Sequence, residues 1–458
     1  MVSARPVRGV GDFDFAALRA REFARLDAQG LAYLDYAATA LYGASQLQAC
    51  HAQLADGVFG NPHSESTPSR AAAAVVERAR RQILAWFDVD ESTHDVCFTA
   101  NASTAIKLVA ESYPFGPGAA LVLSADNHNS MNGIREYARR AGAAVCTLPL
   151  DAELRLADPE PRLIDHAVRG GGLVAVPAQS NFSGVRHPLA LVGQARALGF
   201  DVLLDIAAFA PGHSLSLRSC PADFAVLSFY KLFGLPTSVG ALIARRDALA
   251  RLRRPWFAGG TIVFASVAAD IHRLHAGHEG FEDGTADFLG IAALASGFAL
   301  LDEVGLARLA GHAGGLTRYL LDELAALRHA NGAPLVELYG PQGARAMVDR
   351  GATVTLNVCD SRGQAIPYTA VEARARSAGV AVRGGCFCNP GAAEAAFGLD
   401  ADALAGFLAS SGHDLSLTRL SAWLGRAVGA VRMSLGLANR RADVERAVAV
   451  VASFAADP

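Results

Sequence analysis

Short apolar runs separated by longer amphipathic stretches organise the chain between about residues 71 and 245. Apolar positions in 71–87 recur at helical spacing and end in Trp86-Phe87, which predicts an amphipathic helix. Val96-Phe98, Ala120-Leu123, Leu173-Val176, Val202-Leu204, Phe224-Leu227 and Val239-Ile243 read as strands, with helices such as 129–141 and 188–198 between them. Near-continuous apolar strands joined through helices predict a mostly parallel sheet covered on both faces. Such sheets gather ligands beyond the carboxyl ends of their strands.

Past Arg254-Pro255 and the Gly259-Gly260 turn the pattern changes. Helices are expected from Asp287 to about Glu303 and from Leu306 to Arg328, then a strand at Thr353-Val358, a helix at Thr369-Ala378, a strand at Val380-Arg383 and a last helix at Ala442-Ala455. This reads as a smaller α/β domain. The expected division is 1–30 as an N-terminal segment packing on the small domain, 31–285 as the large domain, and 286–458 as an interdomain helix with the small domain. The stretch 411–426 has no decisive pattern.

Composition narrows the class. A chain of 458 residues suggests two or three domains, and 52% apolar against 19% charged residues excludes a disordered chain. The net charge is -3, with Lys and Arg in no long run, so nucleic acid is not an expected partner. Seven scattered cysteines argue against a disulfide scaffold. The segment MVSARPVRGVGDFDF lacks the apolar core of a signal peptide, and no uninterrupted apolar run reaches spanning length. The expectation is a cytoplasmic protein with no membrane partner.

Chemistry enters where strands should end. Val202-Leu203-Leu204-Asp205 delivers a carboxylate to the sheet edge, suited to a protonated ring nitrogen, although a carboxylate also simply ends a strand. Phe224 to Ser228, followed by Phe229-Tyr230-Lys231, brings an amine out of another buried strand, where desolvation favours its neutral, imine-forming state. Phe98-Thr-Ala-Asn-Ala-Ser-Thr104 places small residues and hydroxyls at a strand-to-helix junction, which suits a phosphate or an ordinary helix cap. His128, in Asn127-His128-Asn129-Ser130, can stack on a ring and move protons, or start a helix. Arg383-Gly-Gly-Cys386-Phe-Cys388-Asn-Pro-Gly391 reads as a tight loop presenting a thiol; with no second cysteine pair, no metal site is expected.

Together these stretches resemble the class V aminotransferases, the branch containing cysteine desulfurases, and within it the amino-terminal domain of molybdenum cofactor sulfurases. The resemblance runs from Tyr33-Leu-Asp-Tyr-Ala-Ala-Thr39 to Val431-Arg-Met-Ser-Leu-Gly436, with Gly60-Asn-Pro-His-Ser64, Gln179-Ser-Asn-Phe-Ser-Gly184, Ser228-Phe-Tyr-Lys-Leu-Phe-Gly234 and the 383–391 loop as its sharpest elements. It implies fold type I, a pyridoxal 5′-phosphate (PLP) cofactor bound by the large domain, and a homodimer. Lys231 is then the cofactor-bearing lysine, Asp205 the partner of the pyridine nitrogen, His128 the residue stacked over the ring and Asn181 the neighbour of its phenolic oxygen. Ala102, Ser103 and Ser228 align with the phosphate cup, and Thr285 with a residue lent to the phosphate of the neighbouring subunit. Arg432 aligns with the anchor of the substrate α-carboxylate and Arg383 with the same pocket, while Cys388 aligns with the sulfur-accepting nucleophile and Cys386 is its neighbour.

Two departures are visible: Ala208 replaces a glutamine common in desulfurases, and Gly384 a threonine. The resemblance implies removal of sulfur from L-cysteine, or a related amino acid, to give alanine and an enzyme persulfide. Molybdenum cofactor sulfurases continue into a second domain beyond residue 458, so the sulfur acceptor is unknown: a cofactor or another metabolite. The alternative is a PLP-dependent lyase or epimerase acting on another amino acid.

Overall fold

In the computed structural model, residues 13–167, 170–254 and 259–456 are described. The first twelve residues of the expected N-terminal segment, and Pro255, lie outside them.

The predicted first helix spans Thr67–Trp86, with Ser66 at its cap and Pro68 in its first turn, where a missing N–H costs nothing. Its buried stripe, Ala72, Val75, Val76, Ala79 and Ile83, faces the helix Phe288–Val304, and Trp86 lies 5.0 Å from Phe298. Ile83 and Phe298 are wholly buried, each burial stabilising the fold by about 1.5–3 kcal/mol.

Behind them stands a seven-stranded sheet in the order His94–Thr99, Gly240–Arg245, Phe224–Ser228, Phe200–Asp205, Gly172–Pro177, Ala120–Ser124 and Ala144–Leu148. Its pairings are parallel except those of Gly240–Arg245, which runs antiparallel to both neighbours. Alternation along the strands feeds two cores: Val122, Val174, Val202 and Leu204 enter one, Leu121, Leu173, Ala175 and Leu203 the other. All six expected strands are present. The edge strand Ala144–Leu148 was not anticipated, because its half-exposed residues break the apolar pattern.

The second domain holds an antiparallel sheet ordered Val336–Tyr339, Thr353–Val358, Ala430–Ser434 and Arg383–Gly385, backed by the helices Tyr368–Ser377 and Arg441–Ala452. The expected strand Val380-Arg383 is two pieces: Val380–Ala381 pairs with Ala32–Tyr33, and Arg383–Gly385 turns to Ala430–Ser434. The expected helix 129–141 breaks at Gly133 into Asn129–Asn132 and Ile134–Arg140. Within 411–426 lies the helix Leu417–Leu424, capped by Ser416, and a further helix, Ala401–Ser410, precedes it. A hairpin of Ile262–Ser266 with Ile271–Leu274 is also unforeseen, with Val263, Phe264 and Val267 exposed.

The chain start touches both parts. Leu18, Phe23 and Leu26 join a core of the large sheet, whereas Arg19 donates to Asp443 (2.7 Å) and to the Ala438 carbonyl (2.6 Å). Among the described residues no single helix is long and apolar enough to cross a membrane; the helices 288–304 and 306–326 meet at 71°.

Candidate active site

Three neighbouring parallel strands build the floor of the site. Asp205 ends its strand in register with Pro177 on one side and Val226 on the other, and its Oδ1 accepts from Ala207 N (2.9 Å). Two residues past Pro177 begins the Gln179–Asn181 turn; past Ser228 the chain winds into the short helix Phe229–Phe233, which carries Lys231. Strand ends side by side thus place a carboxylate and an amine together, as the apolar runs predicted.

The hydroxyl cup forms above this floor. Helix Ala102–Ser112 starts with Asn101 accepting from Thr104 N (3.0 Å), and Ala102 N donates to the buried Ser228 Oγ (2.8 Å). Gly240 lets the helix start approach: a Cβ there would stand 2.5 Å from Asn101 Cα. Ser103 Oγ is 2.5 Å from Ser130 Oγ, so the cup reaches the His128 turn. His128 does cap a helix, accepting from Ser130 N at Nδ1 (3.2 Å), and it stands in the site as well.

The charges act on one another. Burial lowers the Lys231 pKa most; Asp205 and Cys388 oppose that shift and Arg432 adds to it. His128 is likewise lowered by burial first and by Lys231 next, with Asp205 opposing and Arg432 adding. Lys231, Asp205, His128, Arg432 and Cys388 therefore share one electrostatic environment, although they are scattered along the sequence from His128 to Arg432. The set suits a phosphorylated aromatic aldehyde: donors at a helix start for the phosphate, a carboxylate for a cationic ring nitrogen, and an amine for the carbonyl.

The two arginines differ in their surroundings. Both meet Asp35: Arg383 donates to it through Nη2 (2.8 Å) and Nε (3.0 and 3.2 Å), and Arg432 through Nη2 (3.3 Å). Arg432 is 2% exposed, donates Nη1 to the Asn181 carbonyl (2.7 Å) and leaves its buried Nε without a partner. Burial pulls its pKa down to about 10, with Asp35 opposing. A buried guanidinium with an unmet donor is a site for a carboxylate. Arg383 is instead half-exposed and spends its donors on Asp35. Asn181 is also tied to the cysteine loop, its Nδ2 donating to the Phe387 carbonyl (2.6 Å).

In that loop Phe387 and Cys388 adopt φ of 55° and 56°, a left-handed conformation costing about 1–2 kcal/mol per side-chain-bearing residue. Cys388 is exposed; Cys386 is partly buried, and burial pushes its thiol up to about 11. Phe387 is buried and lies 4.7 Å beneath the Arg432 guanidinium. Thr285 is exposed on a separate turn and accepts from Asn61 Nδ2 (3.3 Å). Sequence reasoning missed Asp35, Asp126 and Asn389. Asp35 sits in the quoted Tyr33–Thr39 motif and Asp126 two residues before His128, but only folding pairs them with the loop.

The chain and its fold are similar to known proteins. The chain is 34% identical to the molybdenum cofactor sulfurase of Arabidopsis thaliana over 98% of its own length and 59% of the relative's. It is 37% identical to that of Anopheles gambiae over 92% and 56%, so it spans little more than half of these relatives. Among solved structures, a cysteine desulfurase from Thermococcus onnurineus NA1 superposes with a TM-score of 0.77 at 24% identity, covering 96% of this chain and 97% of the other. A mutant of C-DES with glycine covalently linked to its PLP cofactor gives 0.72 at 17% identity, covering 95% and 99%. The architecture is accordingly the fold type I of PLP-dependent enzymes. The aminotransferase class-V family matches residues 32–447, and the chain belongs to that family.

Proposed function

We propose that the protein is a PLP-dependent cysteine desulfurase: L-cysteine and the Cys388 thiol give alanine and a Cys388 persulfide. One observation carries this reading. An exposed thiol on a constrained loop shares its electrostatic environment with Lys231, just past a strand of the large sheet, and with Arg432 of the second sheet. A sulfur acceptor is thus placed beside an amine and a carboxylate anchor, which a simple lyase does not require.

PLP, when bound, supplies an electron sink that weakens the bonds at the substrate Cα. Lys231 would hold it, with Asp205 at the ring nitrogen, His128 over the ring, Asn181 near the phenolic oxygen, and Ala102, Ser103 and Ser228 around the phosphate. Burial lowers the Lys231 pKa, a shift toward the neutral amine that suits it to take up and return a proton. His128 is lowered too, and its Nδ1 accepts from Ser130 N, so Nε2 is the ring nitrogen outside that contact and the one assigned to proton transfer. Arg432 orients the α-carboxylate through its unmet Nε. The Cys388 sulfur then takes the substrate sulfur: the new S–S bond forms as the Cβ–S bond breaks, and Cβ gains the proton that makes alanine.

The exposed Thr285 fits the reading that a second copy of the chain receives its hydroxyl at the phosphate, as in a two-fold dimer. The likeness to molybdenum cofactor sulfurases supports sulfur transfer to an acceptor beyond Cys388. Incubating purified, cofactor-loaded protein with L-cysteine tests the function: alanine with protein-bound sulfur is expected. Pyruvate and ammonia in their place would make the protein a lyase and overturn the reading.

A further inference from the structure

The loop carrying Cys388 is fastened to the site at points the chemistry above does not use. Asn389, wholly buried, sends Nδ2 to Asp126 Oδ1 (2.7 Å), to the Asp126 carbonyl (3.3 Å) and to Asn181 Oδ1 (3.0 Å). Asp126, also wholly buried, receives Ser180 Oγ at the same Oδ1 (2.7 Å) and meets His187 Nε2 at Oδ2 (2.7 Å). The backbone follows the side chains: Asn129 N donates to the Cys388 carbonyl (2.8 Å). Gly391 permits the close approach, since a Cβ there would lie 2.2 Å from the Ala125 carbonyl oxygen. Left-handed backbone at two successive side-chain-bearing residues persists only where neighbouring contacts over-determine it. The shortest of the Asn389 contacts is to the Asp126 carboxylate, which Ser180 and His187 also meet.

We propose that Asp126 is a positioning residue for Cys388, acting through Asn389 to hold the thiol where it can reach the substrate sulfur. The proposal rests on the reading of Cys388 as sulfur acceptor. Its logic is donor and acceptor matching. The Asp126 carboxyl accepts from Ser180 and Asn389 at one oxygen and meets His187 at the other. Asp126→Asn keeps the shape but turns one acceptor into a donor. If its oxygen keeps His187, its amide N–H groups confront those of Asn389, and the loop loses its anchor. Asp126 makes no hydrogen bond to Asp205, Lys231, Ser228 or Asn181 among the described residues, so Asp126→Asn leaves the direct contacts of the cofactor bed in place, whereas Asn389→Ser also frees Asn181 Oδ1.

The test uses the full cofactor-loaded protein and three variants: Asp126→Asn, Asn389→Ser, which retains a helix-capping oxygen, and the double variant. In a single turnover each substitution should cut the yield rate of Cys388 persulfide by on the order of 10–100-fold, the cost of a displaced reacting group. In Asp126→Asn the cysteine-induced change in the cofactor absorbance should keep its rate and affinity within about twofold; in Asn389→Ser, which also frees Asn181 Oδ1, the persulfide loss should exceed any loss of that response by at least about fivefold. The double variant should be no worse than the poorer single one, because both act through one contact. Backbone hydrogen exchange across 386–391 should quicken in all three. Unchanged persulfide formation, additive losses, or a cofactor response that falls in step with the persulfide would each overturn the proposal. Should Asp126→Asn not fold, Asn389→Ser decides alone: full persulfide with slow loop exchange overturns it. If the parent protein forms no persulfide on Cys388, the proposed function falls; exchange at 386–391 still decides whether Asp126 holds the loop.

Discussion

The floor of the site and its rim are held in different ways. Asp205 and Lys231 stand on adjacent strand ends, fixed by sheet register and by cores on both faces. Arg432, Asn181 and Cys388 come from the second sheet and from turns, and side-chain bonds across long sequence separations assemble them. Arg432 reaches Asn181 across 251 positions, and Arg383 reaches Asp35 across 348. A floor set by backbone register should tolerate side-chain changes around it. A rim set by polar contacts should respond to single substitutions.

The largest effect is expected at the floor residue itself. Lys231→Ala should remove cysteine turnover by at least about 10³-fold, as expected for loss of a covalent group. Borohydride reduction and peptide mapping of the parent protein should place the cofactor adduct on Lys231; an adduct on any other lysine would break the account of the floor.

At the rim the two arginines should part. Arg432→Ala removes a buried guanidinium with an unmet donor and should weaken cysteine binding by about 2–5 kcal/mol, with the cofactor retained. Arg383→Ala breaks a half-exposed pair with Asp35, worth about 0.2–1 kcal/mol. A titration of cysteine against the cofactor absorbance measures both. Equal losses would erase the distinction.

The smallest effect concerns the neighbouring thiol. Because burial raises Cys386 to about 11, its proton stays on below that pH and its thiolate is scarce, about one part in 10³ at pH 8. Iodoacetamide at pH 8 should therefore modify exposed Cys388 first. The Cys386 rate should climb about tenfold per pH unit until it levels near pH 11. Peptide mapping after timed quenching checks the order, and an early, pH-independent adduct on Cys386 would contradict it.

The same contrast decides what the amino-acid order could reveal. Asp205 and Lys231 were legible because an apolar run ending in a polar residue is a local signal, and register does the rest. Thr353–Val358 was placed to the residue for the same reason. Arg432 and Cys388 were found through the family resemblance, which carries long-range information that periodicity lacks. Asp35, Asp126 and Asn389 escaped, since an acidic or amide residue near a strand end has plain local uses as a cap or turn. The contacts Asp35–Arg383, Asp126–Asn389 and Asn181–Asn389 cross 348, 263 and 208 positions. Nothing local to Arg383 signals its pairing with Asp35, which folding alone makes visible. The hairpin 262–274 and the edge strand 144–148 were missed because their outward apolar residues do not alternate cleanly.

The account stands most directly on where sulfur first arrives. A brief pulse of L-cysteine on cofactor-loaded protein, with thiol exchange blocked at once and peptides read by mass spectrometry, locates that atom. The persulfide should appear on Cys388 and vanish in Cys388→Ser, while the Lys231 cofactor adduct persists. A normal persulfide yield on Cys386 in the Cys388→Ser protein would contradict the assignment of the acceptor.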